Sequence, residues 1–139
     1  MLDGLSPLLS GQLLHHLDEM GHSDSVVIAD AHFPSARLAT RFVDLPGTSA
    51  VDVLVAIRSV LPLDEDGPLA LMASPETARL PIHDELIAAA RIEGGEPALV
   101  DRFAFYDLAA AAFVIVRTGE RRSYANALLR KGLVRRVVA

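Results

Sequence analysis

Hydrophobic positions along this chain alternate between helical stripes and short unbroken runs. Leu13, Leu14, Leu17 and Met20 recur at helical spacing, with Ser10 as N-cap and Gly21 placed as a C′ glycine. Residues 25–30 form a continuous apolar run rich in β-branched side chains, the pattern of a strand covered on both faces, and Phe33-Pro34 then turns the chain. A second helix begins at residues 48–52, where Ser49 and Asp52 are spaced like a capping box, with Val51, Leu54, Val55 and Val60 as its apolar side. A turn at 64–68 precedes a second buried strand at 69–73. Pro81 opens a helix reaching about residue 91, with Leu86, Ile87 and Ala90 inward, and 93–97 break the chain. A short strand at 98–100, a helix capped by Asp101 from 102 to 111, a buried strand at 113–116, a turn at 118–120 and an extended run at 125–129 complete the pattern. Alternating strands and helices predict one three-layer α/β/α domain over 1–139 with a mostly parallel central sheet.

Composition narrows this reading. Of 139 residues, 51% are hydrophobic, and the mean hydropathy of +0.33 fits apolar surface buried between subunits. The longest apolar run, 108–116, is half the ~18 residues of a membrane helix. Asp3 follows Leu2 with no basic segment, unlike a secretory signal. With no cysteine there are no disulfides, thiolate nucleophiles or cysteine zinc sites, as in a cytoplasmic enzyme. A net charge of −5 argues against nucleic acid, because the basic residues Arg121, Arg122, Arg130, Lys131, Arg135 and Arg136 are interleaved with apolar ones.

Candidate chemistry falls at strand ends. In open α/β sheets ligands lie beyond the carboxyl ends of the strands. Asp30 closes the first strand, Arg102 follows the 98–100 strand, and 118–120 follow the 113–116 strand. His22 comes from the other side, past the first helix, and imidazole is the side chain that switches charge near neutral pH. Singly, such a histidine reads as a polar cap and such an aspartate as a turn former. Arg102 at a helix start opposes the helix dipole, so ligand hydroxyls or a partner carboxylate would explain it. Tyr124 and Asn126, two apart, would share one face of a strand. His15 and His16 point different ways from mid-helix, one solvated and one half-buried. GxGxxG, GxxxxGK[ST], GxSxG and HExxH are all missing, and His15, His16, His22 and His32 match no zinc spacing, so no cofactor and no metal are expected.

Three blocks, in order, carry a resemblance. They are Glu19-Met-Gly-His22-Ser-Asp24 running through Ser25-Val-Val-Ile-Ala-Asp30-Ala-His32-Phe33-Pro34; Asp101-Arg102-Phe-Ala-Phe105-Tyr106 with 112–116 and Thr118-Gly119-Glu120; and Tyr124-Ala-Asn126 through Lys131-Gly132. Together they span 5–134 and resemble the L-fucose mutarotase and D-ribose pyranase (RbsD/FucU) family, closer to the fucose branch through 31–34 and 102–105. The resemblance implies a cofactor-free isomerase that opens and recloses the ring of a monosaccharide, most naturally L-fucose, by acid–base catalysis. D-ribose pyranase activity and a non-catalytic sugar-binding subunit are the alternatives. It implies His22 as proton donor, Asp30, Arg102, Tyr124 and Asn126 as sugar-binding residues, and Tyr124 as a further proton relay. It also implies a ring-shaped homo-oligomer, such as a decamer, with pockets near subunit boundaries that the 124–126 segment of a neighbour completes. Two stretches depart from the family: 74–97 looks shorter and unlike its relatives, and 135–139 is basic and hydrophobic. The mechanism requires His22 and Asp30 to meet at one sheet edge.

Overall fold

The computed structural model describes residues 1–135. In chain order it contains α1 (Gly11–Glu19), β1 (Ser25–Ala29), α2 (Ser35–Leu38), β2 (Phe42–Leu45), α3 (Ala50–Arg58), β3 (Leu69–Met72), α4 (Pro81–Ala90), β4 (Ala98–Val100), α5 (Arg102–Ala111), β5 (Val114–Thr118) and β6 (Ala127–Arg130). The strands form one sheet in the order β2-β5-β1-β6-β3-β4. Five strands run parallel, and β6 runs against its neighbours β1 and β3. The mostly parallel three-layer domain read from the sequence is therefore the observed fold.

Alternation along each strand divides the core. Val26 and Ile28 face one apolar layer with Leu13, Leu17, Val53, Leu54, Ile57 and Leu86, so α1, α3 and α4 cover that face. Val27 and Ala29 face the other layer with Phe33, Phe105 and Ala109, under α2 and α5. All five β1 residues are buried, as its unbroken apolar run requires.

Several local expectations need correction. On α3 the buried residues are Ala50, Val53, Leu54, Ala56 and Ile57, while Val55 is exposed, as is Val60, which lies beyond the end of the helix. This helix is apolar nearly all round, so its inward side is chosen by packing on α4 and β1 rather than by periodicity. Gly21 is not a left-handed C′ residue; the positive φ falls on Ser23, at 72°. The carbonyls ending α1 are satisfied by the Lys131 ammonium, which donates to Leu17 and Met20 at 2.7 Å each. Elements α2 and β2, four residues each, were too short for the pattern to reveal. Residues 136–139, including Arg136 and most of the divergent tail, lie outside the described residues. Among the described residues no helix is long and apolar enough to cross a membrane.

Candidate active site

The reversed strand creates the site. Because β6 runs opposite to β1, the residues entering β6 arrive where β1 ends. Asn126, one residue before β6, meets Asp30, one residue after β1. The Asn126 amide donates to Asp30 Oδ2 at 3.0 Å, and Asn126 Oδ1 accepts the Asp30 backbone N–H at 2.8 Å. Asp30 Oδ1 accepts the N–H groups of His32 and Phe33, both at 2.9 Å, in a tight Asx turn. Asp30 and Asn126 are only 3% and 2% exposed. Burial pushes the Asp30 carboxyl above its ordinary value of 3.8, although the hydrogen bonds from His32, Phe33 and Asn126 pull the other way. A carboxylate made more basic by burial and held by oriented donors can accept a proton from a fixed geometry.

The end of β5 locks this corner. Thr118 donates its hydroxyl to the Ala29 carbonyl at 2.8 Å and accepts the Glu120 N–H at 3.1 Å, and Ala31 N–H donates to the Glu120 carbonyl at 2.8 Å. Gly119 is required here, since a Cβ would lie 2.7 Å from the Gly47 backbone nitrogen. Arg122 binds both oxygens of Glu120, holding that buried carboxyl below its ordinary value. Sequence reading placed 118–120 at this edge, and they brace it.

Arg102 also reaches this end, because β4 is parallel to β3 and delivers α5 there. Asp101 caps α5 through the N–H groups of Phe103 and Ala104, offsetting the dipole that Arg102 opposes. The exposed Arg102 guanidinium donates to the Tyr106 hydroxyl oxygen at 2.9 Å. Tyr106 packs edge-on against Phe33, the residue whose N–H binds Asp30. Contacts thus run from Arg102 through Tyr106 and Phe33 to the carboxylate.

Tyr124 does not share a strand face with Asn126. It precedes β6 with φ at 63°, in the left-handed region, so period-two alternation does not apply. Its half-buried ring packs with the layer containing Phe33, Met72 and Phe105. Asn126 binds Asp30 of its own chain, so the segment entering β6 helps build that corner.

His22 is the exception. It is exposed, precedes β1, and its ring lies 3.6 Å from Asp64. Ser23 donates to the same Asp64 carboxylate at 2.9 Å, and Ser23 N–H and Asp24 carbonyl pair with the backbone of Lys131. The five residues of β1 separate His22 from Asp30 by roughly 17 Å at about 3.3 Å per residue. The expected meeting of these two groups therefore does not occur within one chain. The reason is simple: they flank the same extended strand. As expected, His15 is exposed, beside Glu19, and His16 is half-buried. Sequence reasoning missed His83, which is fully buried and bonded to the Tyr124 carbonyl; an isolated histidine on α4 gives no signal in the sequence.

Comparison with known proteins agrees with this architecture. The model of the RbsD / FucU transport protein family matches residues 4–134. An L-fucose mutarotase of Glaesserella parasuis is 39% identical over 96% of both chains. The fucose mutarotase of Streptococcus pneumoniae, solved with L-fucose, superposes with a TM-score of 0.87 at 32% identity, covering 96% of this chain and 99% of that one. Bacillus subtilis RbsD, solved with D-ribose, has a TM-score of 0.78 at 22% identity over 96% and 99%, a likeness of fold.

Proposed function

This chain belongs to the RbsD/FucU family, and on that premise we propose that it is a mutarotase that interconverts the anomers of L-fucose. The observation that carries the reading is the buried Asp30–Asn126 pair, a fixed carboxylate of raised basicity at the carboxyl end of β1.

A pyranose is a cyclic hemiacetal. Ring opening removes the proton of the anomeric hydroxyl while C1–O1 becomes a carbonyl. The C1–O5 bond breaks, and its electron pair takes a proton at O5. Rotation about C1–C2 and the reverse steps return the other anomer, with no net change in atoms or charge. Asp30 holds the anomeric hydroxyl and receives its proton, and Asn126 orients the carboxylate. Arg102 and Tyr124 bind the remaining hydroxyls and the sugar face, and Tyr124 is also a second proton relay. His22 is the proton donor, and because its own Asp30 is out of reach, it serves the site of another copy. A homo-oligomer follows from that division, consistent with the exposed Leu99, Phe103, Leu133 and Val134. Each positioned acid or base contributes about 10²–10⁴ in rate, ample for a reaction that already proceeds in water.

Saturation-transfer NMR between the two anomers of L-fucose tests the reading. Added protein is expected to raise exchange well above the buffer rate in proportion to its concentration. Exchange at the buffer rate with the sugar bound would make the protein a sugar-binding subunit instead.

A further inference from the structure

A groove of about 490 Å³ is lined in part by Tyr124, two residues before the Asn126 that binds Asp30, a size within the range of small-molecule clefts. Leu80, Pro81 and Ile82, at the start of α4, form one wall, and Arg122, Ser123 and Tyr124 form the other. One wall sits at the first turn of α4 and the other, 122–124, has no regular structure, so something must set the distance between them.

One side chain spans them. The His83 ring is fully buried. Its Nδ1 accepts the Leu80 N–H at 2.8 Å, which requires that nitrogen to carry no proton. The hydrogen therefore sits on Nε2, which donates to the Tyr124 carbonyl at 2.9 Å. The backbone of His83 closes the same turn, its N–H donating to the Leu80 carbonyl at 2.9 Å. Tyr124 is held with φ at 63°, a conformation that costs any residue with a Cβ and persists only when its surroundings impose it. An exposed second tie joins the same segments, where Arg122 donates to Glu85 of α4 at 2.5 Å.

We propose that His83 is a positioning residue: its imidazole is a strut between the groove walls that fixes the Tyr124 backbone, and with it a subsite for the non-reacting face of the sugar. With both ring nitrogens engaged and no exposure, His83 has no means of touching substrate. It acts through Tyr124. His83 lies within 74–97, the stretch whose sequence looks unlike the family, so the strut would make substrate preference a property of that stretch. The kinetic part of this inference rests on the mutarotase reading; the structural part does not.

Three substitutions separate the two ring bonds. Gln at 83 reaches as far as Nε2 and keeps the bond to Tyr124. Asn reproduces only Nδ1 and keeps the bond to Leu80. Leu keeps neither. In the parent, ¹⁵N shifts of the ring are expected to show a bare Nδ1 and a protonated Nε2; the opposite tautomer overturns the proposal even if every variant fails to fold. In His83→Gln, KM for L-fucose is expected to stay within about twofold of the parent, whereas His83→Asn and His83→Leu raise it about tenfold with kcat changed less than about threefold. The Tyr124 ¹³Cα shift is expected to keep its left-handed value in His83→Gln and lose it in His83→Asn. A parent-like His83→Asn beside an impaired His83→Gln would reduce the residue to a cap of α4, and unchanged KM in all three would remove it from the site. If the parent shows no anomer exchange, the mutarotase reading fails by itself. The Tyr124 shift then decides for His83: loss in Asn with retention in Gln supports the strut, and no change in either refutes it.

Discussion

At the carboxyl end of β1 the polar groups are buried and bonded to one another; at its amino end the ring of His22 stands in solvent with one loose carboxylate neighbour. Asp30 has oriented donors on both oxygens and a raised pKa. His22 has Asp64 at 3.6 Å and half of its side chain exposed. Yet the loop that presents His22 is itself firmly built. Lys131 ties it to α1 and β6, and Gly132 passes so close that a Cβ would lie 2.2 Å from the Leu63 carbonyl. A rigid loop with an exposed tip fits a group that acts on something outside its own chain. The antiparallel β6 links the two ends, carrying Asn126 into one and Lys131 into the other.

The sharpest contrast between the two ends is expected from Asp30→Asn, which should lower anomer exchange by about 10³-fold. A pH effect accompanies it. The folded carboxyl binds its proton more tightly than the unfolded one, so its ionisation costs stability as pH rises from about 3.8 through the raised value. Denaturation across that window should show this slope in the parent and not in Asp30→Asn. Next, His22→Gln should lower exchange by about 10²-fold and leave the melting temperature unchanged, because an exposed ring adds little to folding. Full activity in that variant would remove His22 from the chemistry. Arg102→Ala should raise KM about tenfold while kcat moves less than about threefold; the reverse split would place Arg102 in the reaction itself. Smallest is Glu120→Gln, which should cost about 1 kcal/mol at neutral pH. Glu120 is held below its ordinary 4.5 chiefly by Arg122, so its contribution is full above that value and is lost as pH falls through the lowered one. Denaturant titrations of parent and variant should therefore differ at pH 7 and converge in strong acid.

Much of the fold was legible because β1, β3 and β5 are each built on a short apolar run and because Ser10, Ser49 and Asp101 cap helices as their positions indicate. The α3 face was not, since a helix apolar all round leaves the choice to its neighbours. Asp30 and Arg102 stood out in the sequence because strand ends locate ligand sites, and Asn126 because it was read on one strand face with Tyr124. What the chain alone could not reveal was direction. Only the reversal of β6 brings Asn126 to Asp30, and only the length of β1 keeps His22 away. Tyr124 was placed on a strand because alternation carries no trace of a positive φ. His83 was overlooked because both of its partners are backbone groups, which leave no mark on the sequence.

Pairing Asp30→Asn with His22→Gln tests the division of the site between copies most directly. Each variant alone has one defective partner in every site. Co-expressed in equal amounts and purified together, random assembly gives about one site in four with both Asp30 and His22 intact. Fucose exchange should then recover to about a quarter of the parent rate. Exchange that stays at the average of the two variants would show that no site takes its carboxylate from one copy and its imidazole from another.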